Sequence, residues 1–373
     1  MFTRTTSPEF DLVLQGATGF TGRLAAKEIA QRAPSGFRWA VAGRSADRVG
    51  QLAAKFGVPG VVADGLNRSA VDQLARRTRV VISCAGPFAR YGDHLVDACA
   101  QNGTHYADLT GELPWIQRVI ERHHKSCAGT NTALVPCAGF DSVPTDIAVH
   151  AMAQELGEPA RIHGFFTIKG GLNGGTLHSG LALGEDGELV GGKTQTREDP
   201  PVFPIPSLGR WAAPFLMAPV NEWVAARTDS LLDRESQGYQ VNYSEHLSER
   251  SRFRAHTMAS LLKLSNGLLA HRAGRQILRA LGPKPGEGPS ESSIQNGFAR
   301  LVLLAGDLLA PKLTRQWIWS GDPSNLITVR CLVQTGLALA AGEASRGGVL
   351  TPVAALGDRL GERLLEIGAV TVS

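Results

Sequence analysis

The chain has 373 residues, 43% of them hydrophobic, and a formal net charge of +4 from 38 Lys and Arg against 34 Asp and Glu. That length and apolar content predict about two globular domains with ordinary cores, while the interleaving of basic and acidic residues argues against a nucleic-acid-binding surface. No apolar run approaches the roughly 18 residues of a membrane-spanning helix. Met1 to Phe10 has no apolar centre of the kind a secretory signal needs. Five cysteines, Cys84, Cys99, Cys127, Cys137 and Cys331, form no CxxC pair, which predicts reduced thiols in a cytoplasmic protein and no metal site.

The first predicted strand is the apolar run Leu12 to Leu14. It runs into GATGFTG, Gly16 to Gly22, and a helix is predicted from about Thr21. Strand, glycine turn and helix in that order form a cradle for a dinucleotide phosphate. Gly16 permits the tight turn, Gly19 lets backbone approach the pyrophosphate, and Gly22 lets helix and strand pack closely. Ala17, Thr18, Phe20 and Thr21 complete the turn, and the helix N-terminus offers free N–H groups to an anion. The spacing is GxxGxxG instead of GxGxxG.

Further strands are predicted near Arg38 to Ala42, Val61 to Ala63, Val80 to Ser83, His105 to Ala107 and Ala133 to Pro136. Helical periodicity fills the gaps, as in Ala46 to Phe56 and Tyr91 to Gln101. Six strands alternating with helices predict a doubly wound, Rossmann-type parallel sheet of the α/β class. Strand two ends in AGRS, where a ribose-reading residue falls, and no acid stands there. Arg44 offers a fork suited to a 2′-phosphate and Ser45 a hydroxyl donor, so the expected cofactor is NADP. Asp64 is placed to accept the adenine amino group or to cap the next helix.

After strand four, Ala85, Gly86 and Pro87 are expected to floor the nicotinamide side, and Tyr91 is the first residue beyond them with a transferable proton, or else a structural tyrosine with a packed ring and a bonded hydroxyl. The turns after strands five and six carry Asp108, Glu112, Asp141 and Ser142, as cleft-lining groups or, for Asp141 and Ser142, as a helix start. His123 and His124 read as exposed helix residues.

In the second half, Ile162 to Lys169 alternates as a strand, and Leu301 to Leu304 and Leu326 to Val333 read as strands or sheet-packed segments. The stretch 198–219 is proline-rich and carries Phe203, Trp211 and Phe215, which predicts a loop that wraps the surface or covers a cleft. Gly174, Gly175 and Thr176 stand before a helical stretch and read either as a plain glycine cap or as free backbone N–H groups suited to an anion or a carbonyl oxygen. Met258 to Leu281 interleaves leucines with Lys263, Arg272, Arg275 and Arg279, a basic amphipathic pattern that reads as core packing or as contact with a lipid surface.

GATGFTG, AGRS, GPFARYG, YADLTGE and AGFDSVPTD, with the later GGTLHSGL, GPKPGEGPSE and RGGVLTPVAALGDRL, make the chain resemble the saccharopine dehydrogenase-like reductases, and most closely the bacterial trans-acting enoyl reductases. The resemblance covers nearly the whole chain. It implies an NADP-binding domain over 1–146, an α+β substrate or dimerisation domain over 147–335, and a C-terminal helical segment, 336–373, returning to the first domain. It also implies a small-molecule or carrier-bound lipid-like substrate, with homodimerisation and peripheral membrane contact as open expectations. Three activities follow: an NADP-dependent enoyl reductase, a saccharopine-type imine dehydrogenase, and a cofactor-binding protein without turnover. For reduction, Tyr91 is the expected proton donor, with Asp141 and Ser142 as neighbours. None of the four tyrosines has a lysine four residues later, which sets the chain apart from short-chain dehydrogenases.

Overall fold

The computed structural model describes residues 8–171, 174–187, 200–284 and 286–373. Its strands are β1 (Phe10–Gln15), β2 (Trp39–Gly43), β3 (Gly60–Val62), β4 (Thr78–Ser83), β5 (His105–Asp108), β6 (Ala133–Val135) and β7 (Ala160–Lys169). They continue as β8 (Phe203–Ile205), β9 (Arg210–Pro214), β10 (Val241–Glu249), β11 (Phe298–Ala305), β12 (Leu313–Ser320), β13 (Gly348–Val349) and β14 (Val370–Val372). One sheet has the order β13-β6-β5-β4-β1-β2-β3 and is parallel throughout. The other, β14-β12-β11-β7-β10-β9-β8, is mixed, with β7 and β10 its parallel pair.

The parallel sheet is the doubly wound arrangement expected from the first 146 residues. Leu12, Val13 and Leu14 are all fully buried, because helices cover both faces of the sheet and leave no wet side for alternation. Leu12 and Leu14 join one core cluster and Val13 the other. Helix Thr328–Ala340 lies buried against β1, β4 and β5. Gly336 is what lets it approach: a Cβ there would stand 2.6 Å from Ile82 Cγ2 and 3.0 Å from Leu12 Cδ1.

That helix decides between two readings of Leu326 to Val333. The segment is sheet-packed and helical instead of a strand, and a short apolar run buried on all sides carries no period that separates the two. The same helix spans residue 335 and packs on the parallel sheet, while the last strand, β14, pairs with β12 in the mixed sheet.

The proline-rich stretch is corrected. Residues 198–199 lie outside the described residues, but β8 and β9 form an antiparallel hairpin within 203–214. Pro204 is tolerated because β8 is the edge of its sheet, where a missing N–H costs no ladder bond, and Phe203 and Ile205 point inward around it. His123 and His124 are also less exposed than their charged surroundings suggest. His123 Nε2 pairs with Asp97 Oδ1 at 2.6 Å, and His124 Nδ1 meets the β13 backbone.

Candidate active site

The glycine turn has the shape its residues dictate. Gly16 adopts φ +75, and a Cβ on it would come within 2.9 Å of the Ala85 backbone nitrogen. A Cβ on Gly22 would lie 2.2 Å from the Gly16 carbonyl oxygen, closer than any real contact. Gly19 is different: the nearest atom to its Cβ position is 3.4 Å away, so its glycine leaves room above the turn for a ligand. Gly19 is also the N-cap of helix Phe20–Arg32, with no side chain capping it and no acid in the first turn. An open backbone face at an uncapped helix N-terminus fits a pyrophosphate.

At the end of β2, Thr18 Oγ1 stands 3.6 Å from the Cβ position of Gly43, which brings the turn beside Arg44. Arg44 is exposed and has no hydrogen-bond or ion-pair partner among the described residues. Ser45 caps helix Ala46–Phe56 by accepting the Arg48 N–H at 3.5 Å. Its hydroxyl proton remains for a further acceptor. Asp64 accepts the Leu66 N–H at 3.0 Å, while the cap of the next helix is Asn67. Asp64 therefore shapes the loop after β3 without capping that helix.

The turn after β4 is fixed from beneath. The buried Glu112 carboxylate accepts the backbone N–H of Phe88 at 2.9 Å and of Ala89 at 2.8 Å, at the start of the short helix Phe88–Tyr91. Ser179, on helix Gly174–Glu185, donates to the same carboxylate at 3.2 Å, and its hydroxyl lies 3.5 Å from the Cβ position of Gly86. Ala85, Gly86 and Pro87 thus sit between the glycine turn and an element of the second half of the chain.

Among the described residues no hydrogen bond joins Tyr91 to Asp141 or Ser142. The Tyr91 carbonyl lies 2.7 Å from the Cβ position of Gly65, next to Asp64. Ser142 is fully buried and donates to Asn221 Oδ1 at 3.4 Å, and Asn221 in turn donates to Glu245 at 2.6 Å. Its hydroxyl belongs to a polar network between the two sheets. Asp141, one residue earlier, is only half-buried, has no hydrogen-bond or ion-pair partner among the described residues, and is pushed up to about 6 by desolvation. Asp108 is pushed up to about 7 by burial, even though it accepts the Thr110 N–H and the Tyr106 hydroxyl.

Sequence reasoning missed the lid over the glycine turn. A Cβ on Gly288 would fall 2.3 Å from the Phe20 ring, and Arg23 donates to the carbonyls of Thr18 at 2.8 Å and Gly286 at 3.2 Å. Lys27 pairs with Glu291 at 3.2 Å. The same segment covers the start of helix Gly174–Glu185, whose Gly174 N–H donates to Glu287 O at 3.1 Å. One of the N–H groups expected to hold an anion there is therefore already satisfied. The only signal available was the glycine and proline content of Gly282 to Pro289, which marks a close backbone approach without saying to what.

A parallel sheet with this cradle at its carboxyl edge, joined to a mixed sheet, is the architecture of a dinucleotide-binding protein. Residues 12–135 match the family described as saccharopine dehydrogenase NADP binding domain. Over 97% of this chain and 97% of each relative, the sequence is 35% identical to a Mycobacterium tuberculosis protein provisionally named a trans-acting enoyl reductase and 32% identical to the trans-acting enoyl reductase of Mycobacterium ulcerans. Saccharopine dehydrogenase (L-Glu forming) from Saccharomyces cerevisiae shares the fold, with a TM-score of 0.58 at 11% identity over 97% of this chain and 99% of that one. The chain belongs to the trans-acting enoyl reductase family of saccharopine dehydrogenase-like proteins and is an NADP-dependent oxidoreductase. Among the described residues no helix is long and apolar enough to cross a membrane.

Proposed function

We propose that this protein reduces the carbon–carbon double bond of an enoyl thioester on a lipid-like or polyketide intermediate, free or bound to a carrier. The full-length correspondence to proteins named trans-acting enoyl reductases is the observation that carries this reading. NADPH bound at the glycine turn would supply the hydride. The chain's own residues then have three tasks. Gly16 to Gly22 with Arg44 and Ser45 bind and select the dinucleotide. Glu112 and Ser179 hold the Gly86 turn, and so the face of the site on which the acceptor lies. Asp141 gives its proton to the α-carbon as the β-carbon gains hydride and the thioester oxygen gains charge.

Asp141 suits that task better than Tyr91 or Ser142. It lies partly exposed on the turn after β6, has no hydrogen-bond or ion-pair partner among the described residues, and desolvation raises its carboxyl to about 6, so a larger share of it stays protonated near neutral pH than of an ordinary aspartate. Tyr91 lies beside Asp64, and Ser142 has no exposure at all. We assign Tyr91 to the adenine side and Ser142 to packing.

The test is NADPH consumption with enoyl thioesters on coenzyme A and on acyl carrier protein, against saccharopine-type imines. Turnover of the imines alone would replace the assignment with an amino-acid dehydrogenase. Turnover of neither, with NADPH still bound, would favour a cofactor-binding protein. Asp141→Asn is expected to lower kcat by about a hundredfold, within the range for general acids, and to leave NADPH binding unchanged.

A further inference from the structure

Helices Arg252–Ala270 and Arg272–Leu281 lie on the outside of the protein, where Ala255 and Gly274 alone among their described residues are buried. The inner face of the first helix holds buried Ala255 and half-buried Met258, Leu262 and Leu269, against β9 and helix Gly174–Glu185. The outer face is the exception. Phe253, Leu261 and Leu264 recur at helical spacing and are 81%, 51% and 60% exposed, and Ile277 and Leu281 on the second helix are 50% and 84% exposed. Between the helices runs an open groove of about 550 Å³, lined by Leu264, Leu268, Gly267 and Gly274 with Lys263 and His271 at its edge. The core-packing reading of Met258 to Leu281 therefore accounts for one face only.

Charge identifies what covers the other. From Ser251 to Lys284 there is no Asp or Glu, while Arg252, Arg254, Lys263, Arg272, Arg275, Arg279 and Lys284 all fall within that stretch. Arg254 pairs with Glu249, Arg279 with Glu185, and Arg275 donates to the carbonyls of Gly184 and Leu269. Lys263 and Arg272 have no partner among the described residues and flank the apolar stripe. Exposed leucine and phenylalanine between unpaired cations, with no acid among them, match a surface that is apolar below and anionic above.

We propose that this helix pair seats the protein on an anionic lipid bilayer, with Phe253, Leu261, Leu264, Ile277 and Leu281 entering the interface and Lys263 and Arg272 meeting the headgroups. The seat lies one helix from the reaction site. Leu269 Cδ1 is 3.8 Å from the Cβ position of Gly180, and Ser179 on the same helix bonds Glu112 under the Gly86 turn. Delivery of an apolar acceptor from the bilayer to that turn rests on the enoyl reductase reading; the docking itself does not.

Cosedimentation of the full chain with vesicles tests the docking without any turnover. Binding to phosphatidylglycerol-containing vesicles is expected to exceed binding to pure phosphatidylcholine by at least tenfold and to weaken with added salt. Leu264→Glu with Leu281→Glu should lower binding at least tenfold, and Lys263→Glu with Arg272→Glu should abolish the preference for anionic lipid. All four positions are exposed, and unchanged NADPH titration and thermal melting would confirm intact folds. Absence of wild-type pelleting, or equal pelleting of the wild type and folded variants, overturns the proposal. So does loss of carrier-protein binding in the same variants without any vesicle binding, which would make the face a protein-docking site. Brominated lipid should quench Leu264→Trp beyond the quenching of the wild type with its six native tryptophans, and no added quenching counts against insertion.

Discussion

Glu112 accepts the backbone N–H of Phe88 at 2.9 Å from a position that is 2% exposed. A carboxylate buried to that degree is stable only when it is well bonded, and here Ala89 and Ser179 supply two further donors. The consequence is a turn whose shape depends on one side chain in another loop. Glu112→Ala removes the acceptor and leaves the Phe88 and Ala89 donors without it, which costs about 2 to 3 kcal/mol. Chemical denaturation should show the loss, and NADPH affinity should fall with it because Gly86 and Pro87 form part of the same turn. A variant with wild-type stability and affinity would mean the turn is held by packing alone.

The three glycines of the turn predict three different outcomes. Gly22→Ala puts a methyl 2.2 Å from the Gly16 carbonyl, a backbone atom that cannot move aside, so the variant should lose at least about 2 kcal/mol of stability or fail to fold. Gly16→Ala meets both a crowded Ala85 and a left-handed backbone, and should behave likewise. Gly19→Ala has 3.4 Å of clearance and should fold normally while binding NADPH about tenfold or more weakly, since its methyl projects where the ligand approaches. Thermal melts and cofactor titrations on the three variants separate these roles. Loss of stability in Gly19→Ala, or normal binding by it, would reassign the residue to the fold.

Much of this was legible because its physics is local. A strand, a glycine turn and a helix occupy consecutive residues, and six strands in the first half carry the apolar runs that a doubly covered sheet requires. The position of Arg44 just beyond β2 was legible in the same way. What could not be read is carried by contacts between distant segments. Ser142 and Asp141 are neighbours in sequence, yet one faces Asn221 between the sheets and the other remains half-exposed; only the packing of helix Ala218–Leu231 decides which. Pro204 hid an edge strand, and Gly288 met Phe20 across more than half the chain.

Four buried or half-buried carboxyls set the pH dependence of stability. Desolvation raises Asp108 and Glu245 to about 7 and Asp141 and Asp146 to about 6, so the folded chain keeps protons that the unfolded chain releases near pH 4. Where the folded state binds more protons, stability falls as pH rises. The stabilising share of these groups is full below their unfolded values and is lost between about pH 4 and 7. Asp229 is raised by burial as well, while His150 works the other way because burial and Arg234 lower it. Glu9, Asp11, Asp97 and Glu343, lowered beside arginine or histidine partners, also oppose, but they exert their effect at more acidic pH. Denaturation midpoints should therefore decline from pH 5 to pH 8. Glu245→Gln should flatten that decline, since the amide oxygen can still accept from Thr145 and Tyr243 while the charge is gone. A midpoint that rises over this interval, or an unchanged slope in the variant, would contradict the assignment.

Arg44 is expected to select NADP over NAD. It stands at the end of β2 beside the glycine turn, exposed and without a hydrogen-bond or ion-pair partner among the described residues, and the AGRS turn itself carries no carboxylate to accept a ribose hydroxyl. A guanidinium so placed does nothing for the fold that the structure reveals, whereas its fork matches a phosphate. Truncating it should remove a charge-assisted hydrogen bond of about 1.5 to 3 kcal/mol and weaken NADPH roughly ten- to a hundredfold. NADH has no 2′-phosphate to lose and should bind almost as before. Because the residue is exposed, added salt should narrow the preference for NADPH in the wild type. Fluorescence titration of both cofactors against the wild type and Arg44→Ala decides it. Equal losses for the two cofactors would make Arg44 a support for the turn, and a wild type that binds NADH more tightly would overturn its role altogether.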